Sequence, residues 1–178
     1  MNYRKPLTEE QLADMRAEIR PLTRGFDLVA DHVIITDVEG NIVYANKGVE
    51  RHTGFPLAEV IGKTPGDLWG GGMEKNFYEE MWQTIKINKA PFRGQVKNRN
   101  KDGTEYWQEL RIFPVLDEHG EVRFFIGMEP DITVEKVQER HREQYIKEME
   151  RLNAYLEGKE VKLHELAQAL TELEQKLQ

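Results

Sequence analysis

From Phe92 to Thr133 apolar and polar residues alternate with the period of two that marks extended strands. Gln108, Leu110 and Ile112 share one face, while Trp107, Glu109, Arg111 and Phe113 share the other. Further on, Val122, Phe124, Ile126 and Met128 form one apolar row opposite Phe125, Gly127 and Glu129. Asp102-Gly103 tolerates the positive φ of a two-residue turn and joins the first strand to the second. Asp117-Glu118-His119-Gly120 joins the second to the third. Three consecutive antiparallel strands are predicted. A strand apolar on both sides is usually covered on both, so a core should lie on one face and another element, or another subunit, on the other.

Before this stretch the period changes twice. Thr8-Glu9-Glu10-Gln11 has the form of a capping box, with Leu7 and Leu12 placed as a hydrophobic staple. Leu12, Met15, Ile19 and Leu22 then recur at helical spacing on one side only, a stripe suited to the outer face of the sheet. Pro21 should end or kink this helix. A short helical piece around Gly25 to Ala30 leads to a strand from Val33 to Thr36, a Glu39-Gly40 turn and a strand from Ile42 to Ala45. Short helices and loops fill Lys47 to about Trp82. A longer helix, about Lys75 to Asn88, offers Phe77, Met81, Trp82 and Ile85 on one side, and Pro91 stops it. The triple glycine 70–72 reads as a flexible connector, since it lacks the strand–GxGxxG–helix setting of a phosphate loop.

From Val134 the chain is highly charged, free of proline and helical. Positions 149, 152, 156, 159, 163, 166, 170, 173 and 177 step by three and four alternately, and all but Lys159 are Met or Leu. That is a heptad seam, which favours a dimeric coiled coil over a lone amphipathic helix. Val137, His141, Tyr145 and Met149 step by four and resemble a stutter, and Gly158 and Lys159 weaken the seam. Starting straight after a strand favours a parallel pair. The chain divides into a flanking helix (1–25), an α+β domain (26–133) and a signalling helix (134–178).

Composition narrows the classes. With 25 basic and 32 acidic residues among 178 the net charge is −7, which argues against a general nucleic-acid surface or an anionic membrane as partner. Arg93, Lys97, Arg99 and Lys101 read as a solvated outer face. There is no cysteine, hence no disulfide, thiolate nucleophile or cysteine-ligated metal. No signal peptide is visible and no apolar run approaches the roughly 20 residues that span a bilayer, so a cytoplasmic protein is expected. His32, His52, His119, His141 and His164 are scattered without metal-ligand spacing, and most should be surface or capping residues. No nucleophile–base pair is visible, so no enzyme is expected.

Ile35-Thr36-Asp37 with Gly40-Asn41-Ile42-Val43-Tyr44-Ala45-Asn46, Thr53-Gly54-Phe55 with Glu59-Val60-Ile61-Gly62-Lys63, Asn98 to Thr104, Pro114-Val115 and Asp131-Ile132-Thr133 fall in the order found in PAS sensor domains. Residues 26–133 resemble that family. The resemblance implies a five-stranded antiparallel sheet of order 2-1-5-4-3, short helices cupped over one face, and Asp131-Ile132-Thr133 coupling the last strand to the outgoing helix.

Asn98, Gln108 and Glu129 share faces with the inward apolar residues Val96, Leu110 and Phe125. Buried polar groups need partners, so these three either satisfy one another and water or hydrogen-bond a ligand. In the light-oxygen-voltage branch, which the chain resembles, an Asn, an Asn and a Gln at these positions bind a flavin. The adduct-forming cysteine of that branch is replaced by Pro65, which excludes a cysteinyl–flavin photocycle. Non-covalent flavin, FAD or FMN, is consistent with a likeness to redox-sensing members around Trp82, Phe92 and Asn98. Trp69 and Trp82 suit a pocket wall or core packing. Haem is disfavoured because the Lys75 to Asn88 helix lacks histidine. Leu163-His164-Glu165-Leu166 echoes a histidine-kinase phosphoacceptor box but lacks its Arg-Thr-Pro continuation.

The resulting expectation is a homodimeric sensor module. It would relay a ligand, cofactor or partner signal through the coiled coil to an effector such as a histidine kinase, as in a two-component system, or a cyclic-dinucleotide enzyme. The alternatives are a flavin-binding redox sensor and a ligand-free scaffold docking partners on Trp107, Phe113, Phe124 and Met128.

Overall fold

A computed structural model describes residues 7–176. The elements run α1 (Glu9–Phe26), β1 (His32–Thr36), β2 (Ile42–Ala45), α2 (Lys47–Thr53), α3 (Leu57–Val60), α4 (Pro65–Leu68), α5 (Lys75–Trp82), a π-helical turn (Gln83–Ile87), β3 (Phe92–Arg99), β4 (Glu105–Leu116), β5 (Val122–Glu129) and α6 (Thr133–Lys176). The strands form one antiparallel sheet of order β2-β1-β5-β4-β3. Residues through Thr133 form one compact unit and Val134 onward a second.

The capping box at Thr8 forms as the sequence requires: Gln11 N donates to Thr8 Oγ1 at 3.2 Å and Thr8 N to Gln11 Oε1 at 3.0 Å. The helix does not end at Pro21 but continues to Phe26. The separate helical piece expected at Gly25 is therefore the last turn of α1. Packing explains the extension, because Ile19, Leu12, Met15 and Phe26 all sit on the outer-face cluster of Ile35, Val43 and Phe124. Leu22, assigned to the same stripe, is half exposed. Asn46 locks the join between α1 and the sheet: its Oδ1 caps α2 and accepts from Val33 N, and its Nδ2 faces the carbonyls of Phe26, Val29 and Asp31 at 2.9–3.1 Å.

The helix expected over Lys75 to Asn88 is continuous, but its second half widens into a π-turn. Two register shifts also matter. Val115 pairs with Phe124 and Leu116 with Val122, so Arg123 is an extra residue. This bulge turns Val122 to the inner side, where it packs with Phe125 and Ile112 and not with the Phe124 row assigned to it. The other lies between β1 and β2 at Ile35/Thr36.

The outer face is divided. Its β2-β1-β5 part lies under α1, joined there by the exposed pair Arg123–Glu18 at 2.8 Å. Its β3-β4 part is a ladder of ion pairs, Arg93 and Arg111 on Glu109, Lys97 and Arg99 on Glu105. The inner face carries two clusters, one around Ile34, Ile42, Val49, Val60 and Trp69, the other around Met81, Ile85, Val96, Leu110 and Phe125. In α6 the seam residues Met149, Leu152, Leu156, Leu163, Leu166, Leu170 and Leu173 are exposed. Leu177 lies outside the described residues.

Candidate functional site

Between the two inner clusters lies a cavity of about 340 Å³, within the range of small-molecule sites. Its walls are mainly apolar: Ile34 from β1, Met81, Trp82 and Ile85 from the α5 segment, Val96 from β3, Leu110 from β4 and Phe125 from β5. Trp82 meets Phe125 edge-on at 5.8 Å. Pro65, Gly66, Gly70 and Gly71 close another side. Gly70 and Gly71 of the triple glycine are thus part of the wall. A Cβ on Gly72 would lie 2.0 Å from the Lys97 carbonyl oxygen, so only glycine lets this segment approach β3.

Asn98 and Glu129 line the cavity; Gln108 does not. Gln108 is fully buried behind the wall. Its Nε2 donates to the Glu129 backbone carbonyl at 3.0 Å and faces His32 Nδ1 at 2.8 Å, while Asn98 Nδ2 donates to its Oε1 at 2.8 Å. A carbonyl oxygen can only accept, which fixes the Gln108 amide with its NH₂ toward Glu129. The remaining bonds follow: Gln108 Oε1 must accept from Asn98, and His32 Nδ1 must accept from Gln108. The imidazole is therefore neutral, with its hydrogen on Nε2.

His32, one of the five scattered histidines of which most were expected at the surface or at caps, is wholly buried at the start of β1. Its ring packs edge-on to Trp69 at 4.9 Å, and its Nδ1 lies 3.5 Å from Glu129 Oε2. The signal was available in its parity, since His32 alternates with the inward residues Ile34 and Thr36. Among the described residues neither His32 Nε2 nor Glu129 Oε2 has a hydrogen-bond partner. Burial lowers the His32 pKa to about 3, with the His52 charge adding to the effect. Burial alone raises Glu129 to about 8. Burial likewise pushes the Tyr106 hydroxyl above its ordinary range, and the nearby Glu129 charge adds to it. Burial thus favours the neutral form of the Glu129 carboxyl, which can donate a hydrogen bond as well as accept one.

The same residues adjoin the exit of the domain. Gln108 forms a bridge with Asp131. Ile132 N donates to the Trp107 carbonyl at 2.8 Å, and Trp107 N to Thr133 Oγ1 at 2.9 Å. Asp131 Oδ1 accepts from Thr133 N at 2.8 Å at the start of α6. Sequence reasoning singled out this tripeptide and Gln108 separately. Their juxtaposition comes from the strand pairing.

Among the described residues no group of three or more His, Cys, Asp or Glu side chains suits a metal ion, and no helix is long and apolar enough to cross a membrane.

A sheet of this order, with helices over one face and a cavity beneath them, defines a sensor-type α+β domain. The chain belongs to the PAS domain family, whose model matches residues 30–134. It is similar to the nitrogen fixation regulatory protein of Klebsiella oxytoca, with 37% identity over 102 residues, 57% of this chain and 20% of that one. It is also similar to the blue-light photoreceptor of Listeria monocytogenes, with 31% identity over 135 residues, 74% of this chain and 53% of that one. The chain thus spans between a fifth and about half of the length of these relatives. Among solved structures, an RNA-binding light-oxygen-voltage receptor shares the fold, with a TM-score of 0.64 at 24% identity, over 82% of this chain and 41% of that one. The chain is therefore a PAS sensor domain, related to signalling proteins, followed by a long helix.

Proposed function

We propose that this module is a cytoplasmic sensor that holds a small planar heteroaromatic ligand, a flavin (FAD or FMN), non-covalently in the cavity and reports its state through α6. The observation that carries the reading is a mainly apolar and aromatic cavity wall to which β3 and β5 bring the buried polar residues Asn98 and Glu129, the latter with its Oε2 unpartnered among the described residues. Buried polar atoms without partners are rare and call for one. Asn98 and Glu129 would hold the polar edge of the ring, and Trp82, Leu110 and Phe125 its faces. Gln108 would stand behind them and set their orientation. A bound flavin would supply reversible uptake of electrons and protons. Pro65 and Gly66 stand on the wall, and the absence of cysteine leaves no thiol to bond the ring. The similarity to a nitrogen fixation regulator and to a blue-light photoreceptor supports the reading.

The route outward runs from Asn98 and Glu129 to Gln108, then through Asp131-Ile132-Thr133 to the helix. In a second copy of the chain the exposed Met and Leu seam of α6 finds the partner that its heptad spacing suits. The signal then passes to an effector such as a histidine kinase or a cyclic-dinucleotide enzyme.

Freshly purified protein should show flavin absorbance, or acquire it on adding FMN or FAD. A colourless protein that takes up neither sinks the ligand reading and leaves the scaffold alternative. Analytical ultracentrifugation should give a dimer for the full chain and a monomer after truncation before Glu135. An unchanged assembly state in the truncated protein would remove α6 from dimerisation.

A further inference from the structure

The cavity wall is one side chain thick where α5 passes the β1–β2 turn. Trp82 and Tyr78 face the cavity on one side and, with Lys75, Glu79 and Lys86, a shallow groove of the outer surface on the other. The end of the Trp82 ring lies over the turn, since a Cβ on Gly40 would stand 3.3 Å from its Cη2. Tyr78 secures the near end of the helix, its hydroxyl accepting from Gly71 N at 3.0 Å. Beyond Trp82 the helix widens. Asn88 N donates to the Gln83 carbonyl at 2.9 Å and Ala90 N to that of Thr84 at 3.1 Å, so the segment stores spare chain. Lys89 then adopts a φ of 52°, a left-handed conformation that is costly for lysine.

Two ammonium groups tie this segment down. Lys86 Nζ donates to the Val38 carbonyl at 3.0 Å and to Glu39 Oε1 at 2.9 Å, and lies 6.0 Å from the centre of the Trp82 ring. Lys89 Nζ donates to the Gly120 carbonyl at 2.8 Å and pairs with Glu121 at 2.9 Å. One lysine thus holds the β1–β2 turn and the other the β4–β5 turn. Among the described residues no backbone–backbone hydrogen bond joins 83–90 to a strand or to either turn.

We propose that residues 82–90 form a strap over the cavity entrance, latched by Lys86 and Lys89, and that ligand passes between Trp82 and the β1–β2 turn when the strap lifts. The spare chain of the π-turn lets the middle move while Tyr78 and β3 hold the ends. Lifting also frees Lys89 from its costly conformation. Both latches are partly exposed to solvent, so they release at low cost. This goes beyond the flavin reading, because the strap acts on any ligand of the cavity.

The test replaces both latches in the full chain, Lys86→Met with Lys89→Met, which keeps the aliphatic stem over Trp82 and removes the charge. Hydrogen exchange read by mass spectrometry, without ligand, should run about tenfold faster in peptides covering 82–90 of the variant, with peptides from β3, β4 and β5 unchanged. A latch present in both free and loaded protein changes rates and not the equilibrium. Stopped-flow mixing with FMN should therefore give association and dissociation both about tenfold faster, with affinity within about twofold of wild type. Unchanged exchange at 82–90, or exchange that rises equally in the strands, overturns the proposal. So does weaker FMN binding at an unchanged association rate, which would make the lysines part of the binding site. If FMN binds to neither protein the flavin reading fails, and the exchange result alone upholds or overturns the latch.

Discussion

The two faces of the sheet each bury a glutamate, on adjacent strands and to nearly the same degree. Glu109 on β4 is 7% exposed and Glu129 on β5 is 4% exposed. Their pKa values are displaced in opposite directions. Burial raises the Glu109 pKa, but hydrogen bonds from Arg93 and Arg111 more than offset it, so its carboxyl lies below the ordinary range. Glu129 meets no cation, and burial alone carries it to about 8. Glu109 is covered only by the exposed guanidinium groups of Arg93 and Arg111, whereas Glu129 lies deep in the core, so depth as well as neighbours separates the two carboxyls. The outer face uses its glutamate as an ionic tie between β3 and β4, while burial on the cavity face favours the neutral form of its glutamate.

Breaking the support of the cavity side should have the largest effect. Gln108→Leu strands Asn98 Nδ2, His32 Nδ1 and the Glu129 carbonyl inside the core, and should reduce stability by about 4 kcal/mol in urea unfolding. A loss below about 1 kcal/mol would show that these groups find other partners. It would also remove Gln108 from the route to the exit tripeptide.

On the outer face, Arg93→Ala with Arg111→Ala leaves Glu109 ionised without a partner, and should cost about 2 kcal/mol near pH 7. A carboxyl with a depressed folded pKa contributes stability above its unfolded value, near 4.5, and that contribution is lost as pH falls. The deficit of the double variant should accordingly shrink on acidification. A deficit unchanged between pH 7 and pH 4 would contradict the ionic account.

The last effect, and the one that sharpens the comparison most, is on the slope of stability with pH. Glu129 is raised from 4.5 to about 8 on folding, so its contribution falls as pH rises between those values, by about 1.4 kcal/mol per pH unit. His32 is lowered from 6.5 to about 3, so its contribution falls as pH drops between those values. Between pH 4.5 and 6.5 the two slopes oppose each other, and above 6.5 only that of Glu129 remains. Glu129→Gln should therefore remove the decline from pH 6.5 to 8 and expose a rise with pH below 6.5. Urea unfolding at pH 5, 6.5 and 8 decides it. Parallel curves for wild type and variant would mean that Glu129 is ionised at pH 7.

Much of the architecture was legible along the chain because each strand and helix carries its own period. The capping box at Thr8, the Asp102-Gly103 turn and the alternation from Phe92 to Glu129 are local features, and each forms where the residues direct. The misreadings share one cause. Proline propensity argued for an end or a kink at Pro21, and the contacts of Phe26 with the outer cluster carried α1 past it. Strict alternation placed Val122 with Phe124 until a one-residue bulge at Arg123 reversed it. His32 looked like any scattered histidine, because nothing beside it in sequence tells of the Trp69 ring or of Gln108, 76 positions away.

The sequence by itself determined the strands, their inward and outward sides except at the bulged start of β5, the seam of the last helix and the exclusion of thiol chemistry, since composition and periodicity are properties of neighbours along the chain. The strand pairing decided the rest. Only the order β2-β1-β5-β4-β3 brings His32, Gln108 and Glu129 within hydrogen-bond reach and sets Gln108 against Asp131. The charge of a buried group depends on what surrounds it in space, and for Glu109 and Glu129 that was settled by which face of the sheet each came to occupy.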